Sequence, residues 1–214
     1  MAEIEELLQG FQRFRGKSFQ ENRKLFNQLA QQGQAPKTMV IGCSDSRVDP
    51  AVITDAAPGD LFVVRNVANL VPPYEDSGTY HGTSAALEFA VCKLQVKNIV
   101  VLGHAHCGGI QALLESTDGT SQGFIGAWVS IAVAARDKVL RHWPDAGHDF
   151  QQRACERASI IVSLENLLTF SFIRQRVEES DLHLFGWYFD IENGELLQYD
   201  PERRHFHDLY FDWE

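Results

Sequence analysis

The sequence predicts an α/β fold: a mostly parallel central sheet flanked by helices, with an N-terminal helical arm. Short runs rich in Val and Ile, at 38–41, 61–64 and 99–102, are typical of strands buried on both faces of a parallel sheet. A helix-compatible stretch at 83–94 separates the second run from the third, so the order strand, loop, helix, strand recurs. Such a sheet binds its ligands at the carboxyl ends of its strands.

Two amphipathic helices are predicted before the first strand, over residues 2–15 and 19–31. Their apolar side chains recur at helical spacing. They are Ile4, Leu7, Leu8, Phe11 and Phe14 in the first helix, and Phe19, Leu25, Phe26 and Leu29 in the second. Gly33 and Pro36 then break the pattern. We therefore divide the chain into an arm at 1–34 and an α/β domain at 35–214.

The second half of the chain predicts three further helices and a closing hairpin. The helices are expected at 124–140, 151–170 and 172–179, and a strand at about 184–191. Asn193 and Gly194 form a favourable hairpin turn before a last strand at 195–199.

The composition favours a globular domain and excludes several partners. Of the 214 residues, 44% are hydrophobic, which is enough for a sizeable core. Acidic residues outnumber Lys and Arg by 29 to 19, which argues against a nucleic-acid partner, because phosphate binding needs clustered cations. No apolar run reaches the roughly 18 residues of a membrane span, and the start MAEIEELLQG is acidic where a secretory signal is basic. We expect no membrane partner and a cytoplasmic location, where thiols stay reduced.

Three side chains have the chemistry and placement of a catalytic metal site. Cys43 follows the first strand, and His104 and Cys107 follow the third. Two thiolates and one imidazole suit zinc and leave one coordination position open for water. Zinc can lower the pKa of such a water from 15.7 to about 7, a value known for three-histidine sites. Two thiolates donate more charge and should hold that pKa higher, so another group must help to orient the hydroxide.

The loop after Cys43 supplies a candidate for that group. Asp45 can accept a hydrogen bond from the hydroxide, while Arg47 keeps its carboxylate ionised. Asp45 could instead bind zinc directly, or the pair could only stabilise the loop. Gly108 and Gly109 are expected to let the backbone approach the metal loop closely and to open the next helix.

The motifs CSDSRV and HAHCGG, with RNVAN between them, resemble the β-carbonic anhydrases. The similarity is strong over 34–110 and weaker over about 158–200. It implies that Cys43, His104 and Cys107 bind one zinc ion and that Asp45 and Arg47 form the orienting pair. It also implies a substrate site formed by Gln34, Phe62, Val67, Phe89 and Gly108, in which the plant-like branch of the family often has Tyr at the position of Phe89.

The function implied by the resemblance is reversible hydration of carbon dioxide to bicarbonate and a proton. The family commonly dimerises through exchanged N-terminal helices, so we expect a homodimer or a dimer of dimers, with the arm at the contact. A regulated bacterial branch holds a bicarbonate with Trp, Arg and Tyr. Here these positions are Val40, Arg65 and Phe189, which favours the plant-like branch, although Gly42 is shared with the regulated one.

Two other functions remain open from the sequence. The same fold and zinc site could hydrolyse carbonyl sulfide or carbon disulfide, or the zinc could stabilise a binding module without turnover. The remaining thiols, Cys92 and Cys155, are expected to pack in the core. His106 is expected to point away from the metal, and His205 and His207 to have a solvated or interface role in a charged tail.

Overall fold

The computed structural model describes residues 2–76, 80–116 and 123–209. The first residue of the predicted arm and the last five of the predicted α/β domain therefore lie outside the described residues, as do 77–79 and 117–122. The described strands form one sheet in the order β2-β1-β3-β4-β5-β6. They are β1 (Thr38–Cys43), β2 (Leu61–Asn66), β3 (Asn98–His104), β4 (His183–Asp190), β5 (Glu195–Asp200) and β6 (His205–Asp208).

The sheet is parallel on one side and antiparallel on the other. β1 pairs in parallel with β2 and β3, and β3 pairs in parallel with β4. β5 and β6 add antiparallel strands beyond β4. The predicted fold class is confirmed. The predicted closing hairpin is incomplete, because β6 adds a strand in the segment that was expected to be a charged tail.

Helices cover the sheet and precede it. The described α-helices are α1 (Ala2–Gly16), α2 (Ser18–Glu21), α3 (Arg23–Gln32), α4 (Pro50–Ile53), α5 (Gly82–Glu88), α6 (Gly108–Glu115), α7 (Gly123–Val129), α8 (Val133–His142), α9 (His148–Leu167) and α10 (Ser171–Glu178). No described helix combines the length and the apolar character that crossing a bilayer requires.

Three predicted helices are interrupted in the structure. The helix predicted at 19–31 is divided into α2 and α3 at Asn22, whose side chain donates to the Ser18 carbonyl. The helix predicted at 83–94 ends in a π-helical turn, Phe89–Lys93, where Leu94 N–H donates to the Phe89 carbonyl at 3.0 Å. The helix predicted at 124–140 is broken by a 3-10 turn, Ser130–Ala132, and the Ser130 hydroxyl donates to a carbonyl of the preceding turn.

The arm leaves its apolar side chains open. α1 has no buried residue, and the exposed fraction of Leu7 is 70% and that of Phe11 is 57%. Phe14 packs edge-on against Phe26, with their ring centroids 5.9 Å apart. The arm therefore folds on itself through aromatic contacts while a long apolar face stays uncovered within one chain.

Helix α9 packs directly on the backbone of the sheet at two glycines, one in β3 and one in β4. A Cβ atom on Gly103 of β3 would lie 2.7 Å from Ile160 Cδ1, and one on Gly186 of β4 would lie 2.8 Å from Ile160 Cγ2. These glycines allow α9 to approach β3 and β4 closely. The close approach brings the middle of α9 to the carboxyl edge of the sheet. There it lies next to the loop between β3 and α6, which carries Cys107 and is called the metal-binding loop.

Candidate metal centre

The parallel strands bring the three predicted zinc ligands together. Cys43 is the last residue of β1, and His104 is the last residue of the neighbouring β3. Both were expected just past the strand ends, and the strands are slightly longer than predicted. Cys107 directly precedes α6, and its Sγ lies 3.9 Å from the Cys43 Sγ. One ligand atom from each of the three residues lies within 4.8 Å of the others.

The cluster has the donor atoms of a zinc site, and one of them, His104 Nε2, has no hydrogen-bond partner among the described residues. All three side chains are buried. His104 Nδ1 lies 2.8 Å from the Ala105 carbonyl oxygen, and because a carbonyl only accepts, Nδ1 carries the proton. Nε2 then has a free lone pair, and this atom is buried. A core histidine would be satisfied, whereas a metal ligand is held in this way by its other ring nitrogen.

The electrostatics of the cluster favour a cation between its ligand atoms. A hydrogen bond from Cys107, helped by the proximity of His104, outweighs burial and lowers the pKa of Cys43 to about 4. Burial lowers the pKa of His104, but the nearby Cys43 thiol group and the hydrogen bond to the Ala105 carbonyl outweigh burial and raise that pKa. The Cys43 hydrogen bond and burial raise the pKa of Cys107. The Cys43 thiol therefore ionises readily and attracts positive charge. A divalent metal would supply that charge and would stabilise both cysteines as thiolates.

Asp45 and Arg47 form a two-pronged ion pair beside the cluster. Arg47 Nε donates to Asp45 Oδ1 at 2.9 Å, and Arg47 Nη2 donates to Asp45 Oδ2 at 2.6 Å. Arg47 Nη2 also donates to the His106 carbonyl at 3.0 Å, which ties the first metal loop to the second. These hydrogen bonds lower the pKa of Asp45 far below its usual range. In this structure Asp45 is paired with Arg47, as the orienting role requires.

Arg65 holds the same loop from the other side. Its Nε donates to the Cys43 carbonyl at 2.8 Å, and its Nη2 donates to the Asp45 carbonyl at 2.6 Å. Its Nη1 lies 3.0 Å from Asp49 Oδ2, and Asp49 also caps the N-terminus of α4. All three guanidinium nitrogens are therefore used to fix the backbone that carries Cys43.

The two glycines after Cys107 differ in what they do. Both open α6, as predicted. A Cβ on Gly109 would lie 2.7 Å from Val67 Cγ1, whereas a Cβ on Gly108 would meet open space. The predicted close approach therefore applies to Gly109 and is wrong for Gly108. A Cβ on Gly109 would also lie 3.0 Å from the Cβ of Ala68, whose φ of 65° is left-handed.

The predicted substrate residues separate into two places. The edge of the sheet that carries the three predicted zinc ligands is called the metal edge. Val67 lies against Gly109 at this edge, and its carbonyl accepts a hydrogen bond from Trp128 Nε1 at 2.7 Å. Phe62 stacks on Phe89, with their ring centroids 5.9 Å apart. Phe62 pairs with Met39, four residues before Cys43, so the stacked pair lies about 13 Å along the sheet from the metal edge.

Gln34 also lies outside the metal cluster of its own chain. It is exposed in the coil between α3 and β1, nine residues before Cys43 in the sequence. The structure therefore groups Val67 and Gly108 with the metal ligands, and leaves Gln34, Phe62 and Phe89 elsewhere on the surface of the chain. Phe89 is 46% exposed, which leaves the face of the stacked pair open.

One polar side chain at the site was missed in the sequence. Glu156 of α9 is only 2% exposed and accepts a hydrogen bond from the Cys107 backbone N–H at 2.9 Å. Burial raises the pKa of Glu156, and its hydrogen bonds partly offset this. The signal was present, because Glu156 and Gln152 occupy positions on the buried stripe of α9, where apolar residues are expected.

The remaining Cys and His expectations have mixed outcomes. Cys155 is buried, as predicted, whereas Cys92 is exposed, so its predicted place in the core is wrong. The reason is that Cys92 lies in the π-helical turn, which rotates it away from the predicted helix face. His106 points away from the cluster, with Nε2 3.0 Å from Glu192 Oε1. Within the described ranges, only Cys43, His104 and Cys107 form a group of three potential metal ligands.

Comparison with known proteins gives one consistent family. A family model described as carbonic anhydrase matches residues 38–196. Two relatives from Arabidopsis thaliana are similar over most of the chain. β-Carbonic anhydrase 3 is 38% identical over 194 residues, covering 89% of this chain and 74% of the relative. The chloroplastic β-carbonic anhydrase 5 is 43% identical over 189 residues, covering 88% of this chain and 62% of the relative.

Solved structures agree with the sequence relatives. The structure of the β-carbonic anhydrase CcaA matches with a TM-score of 0.92 and 36% identity, covering 99% of this chain and 94% of that one. One of two tetrameric β-carbonic anhydrases from Sordaria macrospora matches with a TM-score of 0.83 and 30% identity, covering 92% of this chain and 97% of that one.

Proposed function

The chain belongs to the β-class carbonic anhydrases, and we propose that it catalyses the zinc-dependent, reversible hydration of carbon dioxide to bicarbonate and a proton. The observation that carries this function is the buried cluster of Cys43, His104 and Cys107, with an unpartnered imidazole nitrogen, beside the Asp45–Arg47 pair. The chain is thus a lyase with one zinc ion held by these three side chains.

The chain's own residues prepare the reacting water. Bound zinc supplies an acidified water, and hence a hydroxide nucleophile near neutral pH. Each carboxylate oxygen can accept more than one hydrogen bond, so Asp45 keeps acceptor capacity for the reacting hydroxyl while Arg47 holds both of its oxygens. An ionised Asp45 cannot donate, so it orients the hydroxyl with its proton towards the carboxylate and its lone pair free to attack.

Direct kinetics would test the reaction. Stopped-flow measurement of carbon dioxide hydration in a pH-indicator buffer should show turnover that follows the zinc content of the preparation. Carbonyl sulfide and carbon disulfide should be poor substrates in parallel assays. A zinc-loaded protein without carbon dioxide turnover would contradict the proposal, and faster turnover of a sulfur compound would favour the hydrolase alternative.

The substrate site is completed by a second copy of the chain in this proposal. Phe62 and Phe89 form an open aromatic face about 13 Å along the sheet from their own metal edge. Gln34 is the last residue of the arm and is exposed, and α1 presents an uncovered apolar face. A homodimer, or a dimer of dimers, that exchanges the arm at 1–34 would bring this face to the partner's zinc at the 35–214 domain. The tetrameric relative is consistent with such an assembly.

The location of the enzyme is proposed to be the cytoplasm. All four cysteines are free, which fits a reducing compartment. One relative is named as chloroplastic, and a reducing chloroplast would suit the same thiols. Fluorescence of the tagged full-length protein in its own cells would distinguish the two.

The structure also supports assignment to the plant-like branch. Val40 and Phe189 pack against the same apolar cluster, and neither supplies a donor for an anion. Arg65 already uses its Nε, Nη1 and Nη2 within the chain. Gly42 has a packing reason, because a Cβ there would lie 3.2 Å from Pro50 Cγ. We therefore propose a site without a regulatory bicarbonate.

A further inference from the structure

Glu156 is a buried carboxyl group that the reaction itself does not use. Its Oε1 accepts from the Cys107 backbone N–H at 2.9 Å and from Gln152 Nε2 at 3.0 Å. Its Oε2 accepts from the Tyr188 hydroxyl at 2.8 Å. Glu156 is 2% exposed and Tyr188 is fully buried. The carboxyl group thus joins α9, β4 and the metal-binding loop in one buried network.

The pattern of donors shows what the network is arranged to hold. The amide N–H of Cys107 and the amide NH₂ of Gln152 can only donate, and a tyrosine hydroxyl can donate its single proton. Three donors around one carboxyl group match a carboxylate, which accepts at both oxygens. A buried carboxylate is costly unless it is fully hydrogen-bonded. A residue that served packing alone would be apolar here, as its neighbours Cys155 and Ile160 are.

Of the three ligands, Cys107 most needs such a contact. Cys43 and His104 end strands β1 and β3, each of which has a neighbouring strand on both sides. Cys107 belongs to no strand and follows His106, whose φ of 57° is left-handed. The peptide that joins His106 to Cys107 is held at its carbonyl by Arg47 and at its N–H by Glu156, and Glu156 is the partner that connects it to α9.

Tyr188 is in turn held in place from its other face. The Arg157 guanidinium carbon lies 4.7 Å from the centroid of the Tyr188 ring, which is cation–π distance. Arg157 and Glu156 are adjacent in α9, so one turn of this helix holds both the ring and the hydroxyl of Tyr188. The network is therefore stiff along the whole path from α9 to the metal-binding loop.

We propose that Glu156 is a positioning residue that fixes the Cys107 thiolate for zinc by accepting a hydrogen bond from the Cys107 backbone. This inference rests on the proposed zinc site. It predicts that Glu156 acts on retention of the metal and on the geometry of its sulfur ligand, rather than on the reacting water. Groups that orient metal ligands typically change metal affinity by about 10- to 100-fold when they are removed.

The test compares Glu156→Gln with Glu165→Gln, an exposed acid on the same helix. Glutamine keeps the volume but loses the charge and one acceptor. Zinc release from the loaded protein to a chromogenic chelator should be about tenfold faster or more in Glu156→Gln, and unchanged in Glu165→Gln. The thiolate-to-metal absorption of the cobalt-substituted protein should also shift in Glu156→Gln, because the Cys107 sulfur moves.

The outcomes separate this inference from a structural role and from the proposed function. Wild-type zinc release and cobalt absorption in Glu156→Gln, even with a lower unfolding temperature, would overturn it, since Glu156 would then only stabilise the core. If Glu156→Gln does not fold, Glu156→Asp decides, because the shorter side chain withdraws the carboxylate from the Cys107 N–H; faster zinc release would support the inference, and wild-type release would overturn it. A wild-type chain that binds no zinc or hydrates no carbon dioxide would instead contradict the proposed function.

Discussion

The metal edge of the sheet and the aromatic face around Phe89 differ in how complete they are within one chain. At the metal edge, Cys43, His104 and Cys107 are buried, and the loops that carry them are tied by Arg47 and Arg65. At the aromatic face, Phe89 is 46% exposed. Both regions were predicted as parts of one active site, yet the sheet register separates them by about 13 Å.

The two regions show which part of the chemistry one chain can encode alone. A metal site needs a few donors at close range, and neighbouring parallel strands deliver them to one edge. A pocket for an apolar gas molecule needs walls on all sides, and in the proposed assembly the Phe62–Phe89 stack would supply one wall to a partner. Two results would contradict this division of the site: catalysis without the metal edge, or an aromatic face that serves its own chain.

Loss of a zinc ligand should have the largest effect. Cys43→Ser, His104→Ala and Cys107→Ser should each reduce zinc well below one per chain and hydration to the uncatalysed rate, because three ligands act together in holding the metal. Metal analysis and stopped-flow assays on the same preparations would measure both. Cys92→Ser, an exposed thiol, is the matched control and should keep zinc and activity. Activity without zinc would remove the metal edge from the mechanism.

Asp45→Asn should have the next largest effect and should separate catalysis from metal binding. Asparagine has nearly the same shape but no charge to strengthen a hydrogen bond from the reacting hydroxyl. Zinc content should stay near one per chain while kcat/KM falls by about 100- to 10,000-fold, the usual contribution of a positioned acid–base group. Asp137→Asn, at an exposed acid in α8, should leave both unchanged. Near-wild-type turnover would reduce the Asp45–Arg47 pair to a structural contact.

A mixed dimer would test whether the aromatic face serves a partner. Phe89→Asp should keep zinc but lose about 10- to 100-fold in kcat/KM, since a charge would spoil the apolar wall. Co-expression with the zinc-free Cys43→Ser chain should restore about a quarter of wild-type activity, because half of randomly formed dimers are mixed and each holds one complete site. The Phe89→Asp homodimer is the control, and its hydration activity should stay low. No recovery in mixed dimers would place Phe89 in the site of its own chain.

The metal edge was predictable because its signals are local. Cys43 and His104 follow apolar runs, so their meeting at one edge follows from parallel pairing alone. Arg47 and Asp45 are two residues apart, so their contact also needs no knowledge of the fold. The strand ends were one or two residues off because the sequence pattern shows hydrophobicity, whereas the strands end where their hydrogen bonds end.

The contributions of distant elements could not be predicted in the same way. Glu156 lies 49 residues after Cys107, and its contact depends on how closely α9 packs on the two sheet glycines. The π-helical turn at Phe89–Lys93 and the strand β6 are likewise set by tertiary packing. In the proposed assembly, the role of Phe89 would depend further on a second chain, which hydrophobic spacing within one chain does not describe.

The response to bicarbonate should be the smallest effect, and it concerns the loop that follows Cys43 and is held by Arg65. Arg65 is fully used by the Cys43 and Asp45 carbonyls and by Asp49, and its neighbours at the anion position are Val40 and Phe189. Rates measured from about pH 7 to about pH 9 should follow a shallow single-proton titration, as expected of one water. Added bicarbonate at fixed ionic strength should cause product inhibition and nothing more.

The lowered pKa of Asp45 agrees with this expectation. It keeps the carboxylate ionised throughout this pH range, and the pair with Arg47 would weaken only in strong acid. Val40→Trp with Phe189→Tyr would restore the missing donors and is the variant in which bicarbonate should slow the reaction further. A steep, cooperative loss of wild-type activity below about pH 8, deepened by bicarbonate, would show that Asp45 leaves Arg47 for the metal, and the loop would then be a switch rather than a fixed part of the metal edge.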